Sequence, residues 1–466
     1  MASPWVVRLG DDPGRRPAPG PLPWLRGRNL ILLCLCVALF MFWAINLRPA
    51  PTGAVGAGRG GAGLKFAVVF DAGSTGSRVH AYKFRTGRGA DMDLVDDTFV
   101  ELKPGLSSYG GRPAEAVASL QPLMRRAIDA VPAGLRASTP VELRATAGLR
   151  LLPGDQAREI LDAVLEALVA SPFSAARDSV SILDGQDEGA YGWLTLNYLL
   201  GRLGRGHGDT ATAVDLGGGS VQVSYAVSPE QARGAPDGYI KRLSGGGAEY
   251  SVYVHSYLRF GLMAARAEIL KGGGGDGGSP CVARGFSGEY KYGNDTLLAL
   301  PAKDPEGVSG LRCRELVVDV LELDKPCPGP QGQCSFQGAW GGPGRGRAQP
   351  VFLFSYFWDR ALDSSIIGSS EAISWQSTPG DYAGKSDAAC KMDMGLLASS
   401  FPDVAEDRLP YLCMDLSFCS VLLSDGIGLG GSQGVNLVKQ VLRDGKKFEM
   451  AWALGAAINS ISALHR

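Results

Sequence analysis

The stretch FAVVFDAGSTGSRVHAY, residues 66–82, contains an apolar run that ends in an aspartate and is followed by small residues. Val68, Val69 and Phe70 predict a buried strand, and residues 79–84 predict a second one, so the residues between them form a turn. Small side chains leave the amide hydrogens of such a turn uncovered, and these can receive a phosphate group. An ordinary hairpin turn is the alternative that this stretch leaves open.

A second stretch, ATAVDLGGGSVQVSYAV at residues 211–227, repeats this arrangement. Its apolar run ends in Asp215, three glycines and a serine follow, and Val221 opens a strand with apolar residues at alternate positions. Asp71 and Asp215 therefore occupy equivalent places in two distant segments. The repeat predicts a duplicated domain in which the two turns face each other across a cleft.

Helical and strand-like segments alternate along the chain. Helical periodicity is found at residues 114–130, 156–169 and 188–200, and strand-like sequence at 141–145 and 179–183. This alternation indicates an α/β fold.

The length and charge of the chain limit the possible functions. Its 466 residues are enough for two or three domains of about 100–200 residues each. With 46 basic and 47 acidic residues it has no general excess of positive charge, so a nucleic acid polymer is not an expected partner. The oligomeric state is not indicated by the sequence.

The N-terminal region has the pattern of a membrane anchor. Residues 29–47 are uncharged and mostly apolar, which is long enough to cross about 30 Å of hydrocarbon. The excess of arginine in residues 1–28 predicts a cytosolic tail, an uncleaved type II signal anchor and then a flexible stalk at 48–64. A cleaved signal peptide is the alternative. The chain after the membrane anchor is expected to be luminal or extracellular. The short span favours the Golgi membrane over the plasma membrane.

Seven cysteines lie beyond residue 280, and none has the C-x-x-C spacing of a zinc site. In an oxidising compartment disulfides are expected, and Cys327 with Cys334 would close a short loop. One thiol is left over, and the fate of Cys419 is open. The candidates for disulfide bonds are Cys281, Cys313, Cys327, Cys334, Cys390 and Cys413. Asn294 begins a glycosylation sequon.

Five segments resemble, in order and spacing, the apyrase conserved regions of the nucleoside triphosphate diphosphohydrolase family. They are VVFDAGSTGSR (68–78), ATAGLR (145–150), LDGQDEGAYGWLTLNYLLG (183–201), VDLGGGSVQ (214–222) and AWALGAAI (451–458). Two further segments, KPGLSSY (103–109) and YSVYVHSYL (250–258), are similar to the plant membrane-anchored apyrases in particular.

The resemblance covers the chain from Lys65 to the end, and it implies a fold of two actin-like (ribonuclease H-like) lobes with a nucleotide cleft between them. Lobe I would comprise residues 65–175 and 436–466, and lobe II residues 176–435, with the disulfides. The implied activity is hydrolysis of the terminal phosphate of nucleoside tri- or diphosphates. A non-hydrolysing actin-like nucleotide-binding module or a kinase is the main alternative.

The two turns are expected to bind the phosphates, because phosphoryl transfer depends mainly on positioning and charge neutralisation. Asp71 and Asp215 would hold a hydrated divalent cation, Ca²⁺ or Mg²⁺, through water. For Arg78, a solvated charge after the turn is the alternative to a phosphate contact. The predicted phosphate-binding residues are Gly73, Ser74, Thr75, Arg78, Gly217, Gly218, Gly219 and Gln222.

The resemblance also implies three catalytic residues. Glu188, in the predicted first turn of a helix, is the base that activates the attacking water. Ser220 would orient the same water, and Thr146 would reach the side of the γ-phosphate. For Glu188 the alternative is a purely structural acid at a helix N-terminus.

The nucleobase site is assigned to FSYFWDR at residues 354–360, where relatives carry stacking aromatics. Phe357 or Trp358 is the candidate, and a buried strand with incidental aromatics is the alternative. A different hydrolase motif, GGSQG at 430–434, matches G-x-S-x-G and has Asp444 and His465 downstream. A glycine-rich loop before a helix at 435–442 is the preferred interpretation of that segment.

Overall fold

A computed structural model describes residues 63–463, except 88–91, 274–276, 294, 304–307, 331 and 347. The predicted tail, the membrane anchor and nearly all of the stalk lie outside these residues, as does the glycosylation candidate Asn294. Within the described part, no helix is both long enough and apolar enough to cross a bilayer.

The first sheet has five strands in the order β3-β2-β1-β4-β5. Strand β2 is antiparallel to both β1 and β3, whereas β4 pairs in parallel with β1 and β5 pairs in parallel with β4. Both faces of β1 are covered, which explains its continuous apolar run. The strands are β1 (Gly63–Ala72), β2 (Ser77–Thr86), β3 (Met92–Leu102), β4 (Val141–Ala145) and β5 (Val180–Ile182).

The helices of this region are α1 (Pro113–Ala130), α2 (Ala133–Arg136), α3 (Ala147–Arg150) and α4 (Gln156–Val169). Helices α1 and α4 pack on one face of the first sheet. In α4 the buried residues Ile160, Val164 and Leu168 recur every four positions, so they form the apolar stripe of an amphipathic helix. The helices predicted at 114–130 and 156–169 are thereby confirmed.

The second sheet has seven strands in the order β13-β14-β12-β6-β7-β9-β8. Its central part, β9-β7-β6-β12-β14, matches the first sheet strand by strand in order and in direction. This correspondence confirms the predicted duplication. The strands of this sheet are β6 (Thr212–Leu216), β7 (Ser220–Val227), β8 (Ile240–Gly245), β9 (Ala248–Leu258), β12 (Val351–Ser355), β13 (Ser374–Ser377) and β14 (Val435–Val438). Two separate hairpins consist of β10 (Gly288–Tyr292) with β11 (Asp295–Ala299) and of β15 (Gln440–Arg443) with β16 (Lys446–Glu449).

The remaining helices surround the second sheet or join the two sheets. They are α5 (Gly185–Leu199), α6 (Pro229–Arg233), α7 (Leu262–Gly273), α8 (Gly310–Leu321), α9 (Tyr356–Asp363), α10 (Pro379–Ala389), α11 (Met394–Ser400), α12 (Leu412–Val421) and α13 (Trp452–Ala463). Helices α5 and α13 share one apolar cluster with residues of both sheets. They therefore form the layer through which the two lobes pack together.

Helix α13 approaches α5 closely at the glycine of the AWALGAAI segment. A Cβ atom on Gly455 would clash with the carbonyl oxygen of Tyr191. The amide of Gly455 also donates a hydrogen bond to Thr195 Oγ1 at 2.8 Å. Glycine is therefore required there for packing between the helices rather than for contact with a ligand.

The predicted lobe boundaries need two corrections. Strand β5, placed in lobe II by the boundary at residue 176, pairs with β4 in the first sheet. Strand β14 spans the boundary at 435/436 and pairs in parallel with β12 in the second sheet. The helix predicted at 435–442 is also wrong, because these residues form β14 and β15, and β14 also pairs with β13.

Three disulfides lie in the half of the chain that carries the second sheet. They join Cys281 to Cys313, Cys327 to Cys334 and Cys390 to Cys413, and these are the six cysteines selected from the sequence. The remaining thiol, Cys419, is free and buried.

Candidate active site

The two glycine-rich turns face each other across the lobes. In the first, Gly73 N donates a hydrogen bond to Gly76 O, and in the second Gly217 N donates to Ser220 O, both at 3.0 Å. A Cβ atom on Gly218 would clash with the Oγ atom of Ser74. The structure therefore brings together two segments that are separated by more than a hundred residues.

Both turns leave amide groups uncovered. Within the described residues, the amides of Ser74, Thr75, Gly218 and Gly219 have no hydrogen-bond acceptor. The carbonyl oxygen of Gly218, in contrast, accepts a hydrogen bond from Met263 N in the first turn of α7 at 3.0 Å. Unsatisfied backbone donors are thus present in both of the neighbouring turns, and such donors can bind an anion.

Asp71 and Asp215 end equivalent strands beside these turns. Burial raises the pKa of Asp71, and Arg78 opposes this effect. Burial also raises the pKa of Asp215 to about 6, a hydrogen bond from Ser355 opposes it, and the charge of Asp71 adds to it. The effect of the Asp71 charge on the pKa of Asp215 indicates that the two carboxyl groups lie near each other.

These two carboxyl groups fit a hydrated divalent cation. Asp71 Oδ1 and Asp215 Oδ1 are buried and have no hydrogen-bond partner among the described residues. Over the same residues no group of three or more His, Cys, Asp or Glu side chains is close enough to hold a metal ion. Two aspartates with water as the other ligands are compatible with Mg²⁺ or Ca²⁺, which prefer oxygen and often retain water.

Arg78 is engaged by two carboxylates. Its Nη1 atom lies 3.1 Å from Asp71 Oδ2, and its Nη2 atom lies 2.7 Å from Glu101 Oε1. The guanidinium group therefore orients Asp71, and this geometry does not support the predicted direct contact with phosphate.

Glu188 lies in the first turn of α5, as predicted, and its side chain is buried. Its Oε2 atom accepts a hydrogen bond from Arg150 Nη2. Burial raises the pKa of Glu188 to about 8, and Arg150 lowers it. The charges of Asp215 and Asp71 raise the same pKa, so the glutamate faces the cleft that contains the two aspartates.

A polar network surrounds Glu188 on the side of the second sheet. Gln222 Nε2 lies 2.7 Å from Ser220 Oγ, 2.8 Å from Ser256 Oγ and 3.4 Å from Glu188 Oε2. The strand register pairs Gln222 of β7 with Ser256 of β9, which places these side chains together. Gln222 thus links the predicted base to Ser220 at the end of the second turn.

The ATAGLR segment lies between the two turns. Thr146 N donates a hydrogen bond to Ala72 O at 3.1 Å, which fixes the start of α3 beside the first turn. A Cβ atom on Gly219 would lie 2.7 Å from the Cβ atom of Ala147. Thr146 therefore lies beside the first turn and Ala147 beside the second, and the predicted reach of Thr146 to the γ-phosphate stays a prediction.

The nucleobase candidates Phe357 and Trp358 are wrong. Both side chains are buried in the apolar core of the second lobe, with exposures of 0% and 3%, so neither can stack on a ligand. The preceding residue, Tyr356, is only partly buried and interacts electrostatically with Arg78 in the first sheet. Tyr356 is thus the residue of this segment that borders the cleft.

Sequence reasoning missed Arg150 and Ser256. Arg150 is the last residue of the ATAGLR segment (145–150) and the only charged one in it. Its charge could therefore have indicated a role in the site. Ser256 had no such signal, because its position follows only from the pairing of β7 with β9.

The fold and the site together define a class of protein: a two-lobed α/β enzyme of the actin-like fold that handles phosphate groups. Its described residues supply free amides for phosphate oxygens, two carboxyl groups for a cation and a buried glutamate beside them. In the alternative motif around Ser432 the downstream Asp444 is exposed, with its side chain 91% accessible, and His465 lies outside the described residues.

The chain belongs to the GDA1/CD39 (nucleoside phosphatase) family, whose model matches residues 62–466. It is 42% identical over 452 residues to "Probable apyrase 2" of Oryza sativa subsp. japonica, covering 94% of this chain and 95% of that protein. It is 41% identical to "Apyrase 1" of Arabidopsis thaliana, covering 85% of each chain. The predicted resemblance to plant apyrases is confirmed, and nucleoside phosphatase activity is favoured over the non-hydrolysing alternative.

A human relative, "Nucleoside diphosphate phosphatase ENTPD5", is 33% identical and covers 86% of this chain and 88% of that protein. Among solved structures, nucleoside triphosphate hydrolases from Neospora caninum match with a TM-score of 0.61 at 15% identity, over 94% of this chain and 98% of that chain. The latter likeness supports the two-lobed fold.

Proposed function

We propose that this protein is an apyrase that hydrolyses the terminal phosphate of nucleoside tri- and diphosphates. The observation that carries the proposal is the position of Glu188, which is buried in the same cleft as two carboxyl groups and two turns with free amides. A buried carboxylate beside a phosphate site is suited to remove a proton from water.

In the proposed reaction the amides of the two turns hold the terminal phosphate. Gln222 and Ser220 orient a water molecule, and Glu188 removes one of its protons. The water oxygen forms a bond to phosphorus while the bond from phosphorus to the bridging oxygen breaks. Inorganic phosphate leaves together with the shortened nucleotide, and the proton held by Glu188 returns to solvent.

A divalent cation between Asp71 and Asp215 would neutralise charge on the phosphate chain. The chain's contribution is the pair of unpartnered oxygen atoms, together with Arg78, which fixes the orientation of Asp71. Calcium and magnesium are both proposed, because two oxygen ligands with water are compatible with either.

The test is release of inorganic phosphate from a panel of nucleoside di- and triphosphates by the purified full-length chain, with and without Ca²⁺ or Mg²⁺. We expect cation-dependent release that Glu188→Gln lowers by at least about a hundredfold. Asp187→Asn is the matched control, because Asp187 occupies the same helical turn but pairs with Lys241 at 2.6 Å. Release that survives Glu188→Gln would exclude the proposed base, and release only to an added acceptor would indicate a kinase.

We also propose that residues 29–47 anchor the protein as a type II membrane protein, with the catalytic part luminal or extracellular, in the Golgi rather than the plasma membrane. The apolar run, the three disulfides and the sequon at Asn294 support this topology. A mobility shift on glycosidase treatment that Asn294→Gln removes, together with protection from protease in sealed microsomes, would test it.

A further inference from the structure

The hairpin formed by β10 and β11 brings two tyrosines towards the second phosphate turn. Tyr290 and Tyr292 are two residues apart on β10, so they lie on the same face of the hairpin. The hairpin is joined to α7 by an ion pair between Lys271 and Asp295 at 2.8 Å. Helix α7 in turn begins at the turn itself, because Leu262 N donates a hydrogen bond to the carbonyl oxygen of Gly217 at 2.9 Å.

Tyr290 has a structural role in this arrangement. Its hydroxyl donates a hydrogen bond to Met263 O at 2.7 Å, and its ring packs edge-on against Tyr411. Met263 is also the residue whose amide holds the carbonyl of Gly218. The hydrogen bond of Tyr290 is therefore one of the links between the hairpin and α7, and the Lys271–Asp295 ion pair is another.

Tyr292 differs from Tyr290 in the hydrogen bonding of its hydroxyl. The oxygen atom is buried and has no hydrogen-bond partner among the described residues. A Cβ atom on Gly219 would lie 3.0 Å from this oxygen. Burial of an unpaired hydroxyl is unfavourable, so its position beside the turn requires an explanation.

The surroundings of the hydroxyl favour a partner that accepts hydrogen bonds. Burial raises the pKa of Tyr292 to about 12, so the group is a protonated donor at neutral pH. Arg259 lowers this pKa and Glu268 raises it, and these two side chains lie 3.7 Å apart. The amide of the adjacent Gly219 has no hydrogen-bond acceptor among the described residues, so two unpaired donors lie close together.

We propose that the Tyr292 hydroxyl donates a hydrogen bond to an oxygen of the phosphate chain of the substrate, together with the amides of the second turn. This inference rests on the proposed function. It assigns to the hairpin a direct part in substrate binding. It also gives the buried hydroxyl a hydrogen-bond partner.

The test compares Tyr292→Phe with Tyr290→Phe in the full-length protein. A hydrogen bond to a charged group, when lost, corresponds to about a tenfold or larger loss in affinity. We expect Tyr292→Phe to raise KM by about this factor with little change in kcat, and to leave the melting temperature unchanged or higher. Tyr290→Phe should lower the melting temperature and leave KM close to that of the wild type.

Inorganic tripolyphosphate separates contact with the phosphate chain from contact with the nucleoside. Its affinity for each variant is measured by calorimetry in the presence of Mg²⁺, which requires no catalysis. Weaker binding of tripolyphosphate by Tyr292→Phe supports the proposal even if the wild type releases no phosphate, an outcome that would refute only the proposed activity. Unchanged binding of tripolyphosphate, or an equal loss of affinity in both variants, overturns the proposal.

Discussion

Arg150 and Glu188 form a buried ion pair, although they lie 38 residues apart on different helices. Arg150 is the last residue of α3, and α3 starts beside the first turn. Glu188 lies in the first turn of α5, which packs between the two lobes. Burial is the main effect on the pKa of Glu188 and raises it to about 8 even though Arg150 lowers it, so without the arginine the pKa would be higher still. The arginine therefore acts on the proposed base by favouring its ionised form.

We predict that Arg150→Met shifts the acidic limb of the pH profile of kcat/KM to higher pH. Burial raises the pKa of Glu188 to about 8 and Arg150 lowers it, so removal of the arginine raises it further. A base must be ionised to accept a proton, and a higher pH is then needed for the same activity. Arg144→Met is the control, because Arg144 pairs with Glu142 instead, at 2.7 Å. An unshifted limb in Arg150→Met would show that Glu188 does not control the profile.

A second prediction concerns Asp215 in the absence of divalent cations. Its pKa in the folded protein is about 6, above the ordinary value of 3.8, so folding favours the protonated form. The corresponding stability is present at low pH and is lost as the pH rises through 6. We expect Asp215→Asn to have a higher melting temperature than the wild type above pH 6, and a difference that disappears near pH 4.

Addition of Ca²⁺ or Mg²⁺ should reverse this order. A cation that binds only the folded protein raises its melting temperature in proportion to the logarithm of its concentration. We expect that rise in the wild type and a much smaller one in Asp215→Asn, measured by thermal unfolding at pH 7.5. Equal rises in both proteins would place the cation elsewhere.

The strands and turns around both aspartates were predictable because their signals are local. An apolar run, an aspartate and small residues specify strand, turn and strand within a short window. Segment 435–442 shows the limit of this approach, since its apolar residues at 435, 437, 438, 441 and 442 fit either a helix or two strands. The strand conformation is determined by parallel pairing of β14 with β12, and that pairing depends on residues more than eighty positions away.

The site was only partly predictable for the same reason. Glu188, Ser220 and Gln222 lie in segments with their own patterns, whereas Ser256 joins the network only through the register of two strands. The burial of Phe357 and Trp358 could not be read from the segment alone, because it depends on which elements cover α9. Contacts between distant residues, rather than local propensity, determine these positions.

A third prediction tests the contact between the turns. Gly218→Ala introduces a Cβ atom that would clash with Ser74 Oγ and lie 3.2 Å from Thr75 Cγ2, so it should separate the two turns. Misplacement of groups that position a substrate can lower kcat/KM by between about tenfold and about a hundredfold. Gly434→Ala is the control, because a Cβ atom there has no neighbour within 4 Å. Wild-type kcat/KM in Gly218→Ala would mean that the turns do not act together.

The last prediction concerns a buried charge network that supports the second lobe. Asp415 of α12 accepts hydrogen bonds from Arg266 of α7 at 2.7 and 2.6 Å and from Arg360 of α9 at 2.8 Å, and all three side chains are buried. Asp415→Asn leaves two buried guanidinium groups without this carboxylate. We expect the free energy of unfolding to fall by about 3–5 kcal/mol.

The matched control for that prediction is Asp425→Asn. Asp425 pairs with Arg314, but their side chains are 32% and 43% exposed, so water already competes for both charges. We expect this change to cost less than about 1 kcal/mol. Denaturant unfolding with the disulfides intact measures both variants.

Because Arg266 lies on the helix that begins at the second phosphate turn, Asp415→Asn should also raise KM, whereas Asp425→Asn should not. Similar stability losses in the two variants would contradict the role assigned to the buried carboxylate.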